Sequence, residues 1–254
     1  MRRATATKVL IGLFVVLVPA MLLIEGRRAA REVLAAGLMI GFFLVVVKLR
    51  TQPRRDAMRS EARRLRLRFS AKDPFAHLDE PFALFRWTQR SSGEVTNVLW
   101  GTWGDLEVRV LDYVYTEAEN VERRFSCALA AIPGGWPSLV IRPQGTMSWI
   151  ADHLALPGIE FESERFNLAF DVRGDDPRFA SAVVDARMMD WLLGLAHGHG
   201  FEIRGRWILA WQDQVQPWEL EDVLRTLSAF VERIPRAARS LYPEALPGRP
   251  DVRA

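Results

Sequence analysis

"EVTNVLWGTWGDLEVRVLDYVYTE", residues 94–117, decides the fold. Gly104–Asp105 separates two runs of alternating apolar and polar residues, which is the mark of a β-hairpin with a two-residue turn. On the second arm Leu106, Val108, Val110 and Val114 share one face, and Glu107, Arg109 and Leu111 share the other. Asp112 interrupts the apolar face, with Tyr113 and Tyr115 beside it. Such local conflicts are enriched at functional sites, so Asp112, Tyr113 and Tyr115 are candidate binding residues. A strand-end aspartate with a satisfied carboxylate is the plainer reading.

Downstream, "RRFSCALAAI" (123–132) and "SLVIRP" (138–143) read as two strands split by a "PGGWP" turn. The lone cysteine, Cys127, alternates with Phe125 and Leu129 and reads as a small buried strand residue. One cysteine excludes a disulfide framework or a Cys-based zinc site within the chain. "TMSWIADHLAL" (146–156) has helical spacing. Two further strands are expected at 159–162 and 166–172, the second from the alternation of Phe166, Leu168, Phe170 and Val172. Asp176–Pro177 opens a helix with Val183, Val184, Met188, Trp191, Leu192 and Leu195 on its apolar side. "GFEIRGRWILAWQD" (200–213) is a strand or a tight hairpin at Gly205, and Pro217–Ile234 is a last helix. Strands first and helices mixed in later make an α+β domain.

Four of these segments occur in one order: "NVLWGTWGDLEVRVLDYVY", "FESERFNLAFDV", "DARMMDWLL" and "GFEIRGRWIL". Together they resemble a family of uncharacterised actinobacterial membrane proteins. The resemblance covers most of residues 65–242. It implies two N-terminal spans followed by this domain, and it carries no activity and no catalytic residues.

The N-terminal part agrees with that layout. Val9–Ile24 and Val33–Val47 are uncharged runs of 16 and 15 residues. As helices they measure about 22–24 Å, short of a ~30 Å hydrocarbon core, and Lys8 and Lys48 can lengthen them by snorkelling. A transmembrane helical hairpin (1–48) is expected, with Gly37 and Gly41 forming a small-residue packing face for the other span or for another membrane protein. Twelve basic residues flank the hairpin against three in its connection, which places both termini in the cytoplasm of a bacterial plasma membrane. "RRDAMRSEARRLRLRF" (54–69) is basic and loosely amphipathic. Arg54, Arg55, Arg59, Arg63 and Arg64 are candidates for contact with anionic lipid headgroups, and a solvated topology signal is the alternative.

Charge separates the two parts. Residues 1–68 hold 15 basic and 4 acidic residues, whereas 69–254 hold 19 and 27. The larger part is acidic and would repel phosphate backbones, so nucleic acid is not an expected partner.

"LLGLAHGHGFEIRG" (192–205) looks most like chemistry, through His197 and His199. Residues two apart would chelate only from an extended segment with a third ligand from elsewhere, and the glycines suit the end of a helix. They are weak metal candidates. Glu160, Glu162 and Glu164 alternate along a polar edge. Glu162 and Glu164 are candidate binding carboxylates, with a solvated face as the bland reading. No phosphate-binding loop, dinucleotide fingerprint, zincin motif or nucleophile elbow is present.

The sequence therefore leads to a membrane hairpin, a basic juxtamembrane segment (49–68), an α+β domain (69–241) and a disordered tail (242–254). The domain is expected to be a mixed, mostly antiparallel sheet with about three helices. The expected role is a non-enzymatic binding or scaffolding module with no cofactor. Its expected partners are the bilayer, anionic headgroups and another membrane protein or a second copy. The alternatives are a membrane-tethered hydrolase-like enzyme, using Asp112 with Glu162 or Glu164 or the two histidines, and an accessory subunit of a membrane complex.

Overall fold

The computed structural model describes residues 37, 39, 54–86, 93–116, 121–145, 156–195 and 198–241. The chain divides into Met1–Asp56 and Ala57–Ala254. The expected hairpin, apart from helical Gly37 and Met39, lies outside the described residues, as do Gly41, the helix expected at 146–156 up to residue 155, and the tail. Among the described residues no helix is long and apolar enough to cross a membrane.

The larger unit is mixed α+β, built on a six-stranded sheet in which every pairing is antiparallel. Helix α1 covers 54–64 and leads into β1 (Arg68–Lys72). Next come a 3₁₀ turn (His77–Asp79) and the single-turn α2 (Ala83–Arg86). The expected hairpin follows as β2 (Glu94–Trp103) and β3 (Leu106–Thr116), with Gly104 at φ 58 in the turn. Strand β4 (Glu122–Pro143) pairs with β3 through its first half and with β5 (Phe170–Gly174) at its end. Strand β6 (Gly200–Asp213) lies along the other edge of β4 from Phe125 to Ile141.

Several expectations are corrected. "PGGWP" is not a turn between two strands. It is an irregularity inside one 22-residue strand, where the pairing to β6 shifts register between Ala131, Trp136 and Leu139. Gly205, at φ 58, sits opposite Trp136, so β6 also runs on as one strand and does not form a hairpin. Residues 159–162 are not a strand; Ile159 only donates its N–H to Val172. Residues 164–169 are helical (α3, Glu164–Ala169), capped by Ser163, whose hydroxyl accepts from Phe166 N–H. Asn167 fixes this turn by bonding both the N–H and the C=O of Phe161. The single helix expected from Asp176 is two, α4 (Pro177–Val183) and α5 (Ala186–Gly194), because Asp185 caps a fresh start by accepting from Met188 N–H. Helices α6 (Leu220–Arg233) and α7 (Arg236–Leu241) complete the domain. Short capped turns thus raise the helix number above the three expected.

Both sheet faces are buried. One carries Val108, Val110, Ile141, Phe201 and Ile203 against the helices. Helix α6 supplies Leu220, Val223, Leu224, Leu227, Phe230 and Val231, a 3.6-period stripe, and Phe230 stacks on Phe201 at 4.3 Å. Each such side chain contributes roughly 1.5–3 kcal/mol of burial. Met58 and Ala62 on α1, and Leu65 just after it, join the same core, so this segment's apolar side faces protein. The other face buries Leu111, Tyr113, Tyr115, Phe125, Trp207 and Trp211 against Phe82, Leu84 and Phe85.

The sheet curls sharply around this second core. Gly200 and Trp211 lie on the same strand, where a straight course would separate them by roughly 35 Å. Yet a Cβ on Gly200 would stand 2.2 Å from the Trp211 ring. The strands bend at the β4 irregularity and Gly205, and the missing side chain at Gly200 admits the indole.

Candidate functional site

The residues with acid–base chemistry gather where 73–86 crosses the inner face of the sheet. Asp73 precedes a proline, and its carboxylate turns the chain. Oδ1 accepts from Phe75 N–H at 3.0 Å and Oδ2 from His77 N–H at 2.6 Å. Oδ1 also lies 2.6 Å from His77 Nδ1. His77 is fully buried, and its Nε2 faces the Arg109 guanidinium at 3.5 Å. A cation at Nε2 and a carboxylate at Nδ1 select the neutral ring with its proton on Nδ1. Burial holds the imidazole pKa below its usual value, against the pull of Asp73. Arg109 is itself clamped between the rings of Phe75 at 4.0 Å and Trp207 at 4.2 Å. This is an aspartate–histidine pair whose outer nitrogen is already engaged.

A second carboxylate anchors the same segment. Glu202 on β6 is fully buried, and both its oxygens accept from Ala83 N–H, at 2.9 and 2.8 Å, at the start of α2. Arg204 donates to Oε1 at 3.2 Å. Burial lifts the Glu202 carboxyl to about 7, with the Ala83 amide and Arg204 opposing. Tyr113 completes the latch by donating its hydroxyl to Leu84 C=O at 3.1 Å.

The residues singled out from the sequence do not converge. Asp112 is buried and accepts from Asn97 Nδ2 at 2.9 Å, where Asn97 adopts φ 53 at an irregularity in β2. The polar break in the apolar face is a carboxylate paired across the hairpin. Tyr113 and Tyr115 pack in the second core, and Tyr115 stacks on Phe125 at 5.9 Å. Glu162 and Glu164 are exposed at the N-terminal end of α3. Arg54 is half-buried and Arg55, Arg59, Arg63 and Arg64 are exposed. Arg64 bridges Glu61 and Glu221, and Arg59 lies over the Phe69 ring at 5.2 Å. His197 is outside the described residues. His199 stands after Gly198, φ 106, in the turn from α5 to β6, and lines two surface hollows. Among the described residues no group of three His, Cys, Asp or Glu could hold a metal ion.

Sequence reasoning passed over Asp73, His77 and Glu202. The Asp–Pro pair signalled a turn, and Glu202 stands alone between Phe201 and Ile203, a carboxylate flanked by core residues. Neither pattern reveals its distant partner.

No protein-family model matches the chain, and no curated protein matches it significantly. Its fold is similar to the crystal structure of the mycobacterial trehalose monomycolate transport factor A, TtfA. That likeness has a TM-score of 0.54 and 11% identity, and it covers 76% of this chain and 98% of that one. At this identity the likeness is one of fold.

Proposed function

We propose that the chain is a non-enzymatic accessory protein of envelope-lipid transport, held at the cytoplasmic face of an actinobacterial plasma membrane by its N-terminal hairpin. The observation that carries the reading is the fold shared with a transport factor over nearly that protein's whole length. The buried polar groups support it. Asp73, His77, Arg109 and Glu202 hold 73–86 against the sheet: Asp73 and Arg109 flank the His77 ring, and Glu202 accepts from Ala83 N–H and Arg204. The exposed Arg55, Arg59 and Arg63 follow directly on the expected hairpin, where they suit anionic headgroups.

The test is to solubilise the full-length protein from native membranes in mild detergent and identify what travels with it. A stoichiometric membrane protein supports the accessory role. A protein recovered in the soluble fraction, or one with no partner and a bound metal, opposes it.

A further inference from the structure

We propose that the hollow between α3 and the end of α5 binds a compact monocarboxylate with an apolar body, of the size and charge of an arylalkanoate. The hollow measures about 250 Å³. Phe170, Leu192, Leu193 and Leu195 give it apolar walls, and Arg165 and His199 are its ionisable members. The rest of its lining, Pro143, Ala169 and Gly198, adds no charge, and among the described residues no carboxylate lines it.

The walls are held by the core. Leu192 is buried in it, and Leu193, Leu195 and Phe170 are partly buried against it. Phe170 also stacks on Phe166 at 5.1 Å. Arg165 and Ala169 stand four apart on α3 and so share a face of that helix. The size limits the ligand. A cavity of about 150 Å³ admits benzene, so this hollow takes one ring with a short tether and not a long acyl chain.

Charge sets the ligand's other end. Several arginines of the domain are committed to carboxylates: Arg142 to Asp171, Arg204 to Glu202, and Arg64 to Glu61 and Glu221. Arg165 is exposed, and its guanidinium forms no hydrogen bond or ion pair with the described residues. Its planar fork matches both oxygens of a carboxylate, and the His199 imidazole is a further donor. The end of α5 works the other way, since the last turn of a helix carries a partial negative charge of about half a unit. The full charge of Arg165 outweighs it, so this side chain decides that an anion is preferred to a neutral ligand. The site needs neither the hairpin nor a protein partner, and so goes beyond the accessory role.

The test is photolabelling of the full-length protein in phosphatidylcholine nanodiscs with an aryl diazirine carboxylate, followed by mapping of the labelled peptides. The expected result is label on peptides holding Phe170 or Leu192–Leu195, competed by phenylbutyrate. Phenylbutanol and phenylbutylamine, which keep the body and change the charge, should compete at least fivefold less well. Arg165→Gln should lower the label about tenfold, the loss of one charge-assisted hydrogen bond. Leu193→Trp, which fills the hollow without adding charge, should abolish it. Arg165 is exposed, so its variant decides the matter if the second does not fold. Label confined to other peptides, label indifferent to Arg165→Gln, or competition by phenylbutanol as strong as by phenylbutyrate would each overturn the proposal.

Discussion

Glu202 accepts the backbone N–H of Ala83 on both carboxylate oxygens, joining the start of α2 to the start of β6 across 119 residues of chain. A fully buried carboxylate costs several kcal/mol of desolvation unless its lone pairs are filled, and here the amide and Arg204 fill them. The chemistry-bearing groups of this domain act first as joints.

Glu202 makes a pH prediction with a definite sign. Its pKa rises from 4.5 to about 7 on folding, so the folded state binds more protons between those limits. Stability from this group is full below pH 4.5, declines as pH rises toward 7, and is flat above. The decline amounts to about 3 kcal/mol. Urea titrations across pH should show it, and Glu202→Gln should remove it.

His77 works in the opposite direction. Its folded pKa is depressed by burial, so its contribution is present above pH 6.5 and is lost as pH falls through the folded value. The two slopes oppose one another in the wild type. Glu202→Gln should therefore expose a stability that rises with pH toward 6.5, and His77→Gln added to it should flatten the curve.

Gly200 is set by the curl of the sheet. Gly200→Ala places a methyl group against the Trp211 ring and should cost roughly 1–3 kcal/mol, read as a lowered urea midpoint. The same change at Gly135, where a Cβ meets nothing within 4 Å, should cost far less.

Cys127 should be inert in the folded protein. Burial raises its thiol pKa well above the usual value, and the nearby Asp112 charge adds to this. Native protein should resist a thiol-reactive dye at pH 8, and unfolded protein should react at once. Rapid native labelling would contradict this burial.

The hairpin and α6 were legible because each carries one unbroken period: alternation about Gly104–Asp105, and a 3.6-residue stripe from Leu220 to Val231. The alternation at 166–172 misled because burial does not follow it. Phe166 is fully buried and Leu168 is 74% exposed, so the run is one helical turn under a Ser163 cap and then a strand. "PGGWP" has turn composition, but β6 continues beside it and keeps β4 extended. The break before α5 was available in Asp185, a cap inside an apolar run. Asp112 stood out as a conflict because its own face betrayed it, while Asn97 did not. His77 and Glu202 stayed hidden because Arg109 is 32 residues away from the first and Ala83 is 119 from the second. Local patterns report faces and caps, and they are silent on which distant group fills a buried lone pair.

The most direct measurement compares partner capture by the wild type and by His77→Gln and Glu202→Gln, each expressed full length, taken from native membranes in mild detergent and held well below its thermal midpoint. If the chain acts by binding, all three recover the same membrane protein at the same stoichiometry, and the variants differ in stability alone. A folded variant that keeps its partner but abolishes the function of the captured complex, or a wild type that recovers no protein partner, would contradict the account.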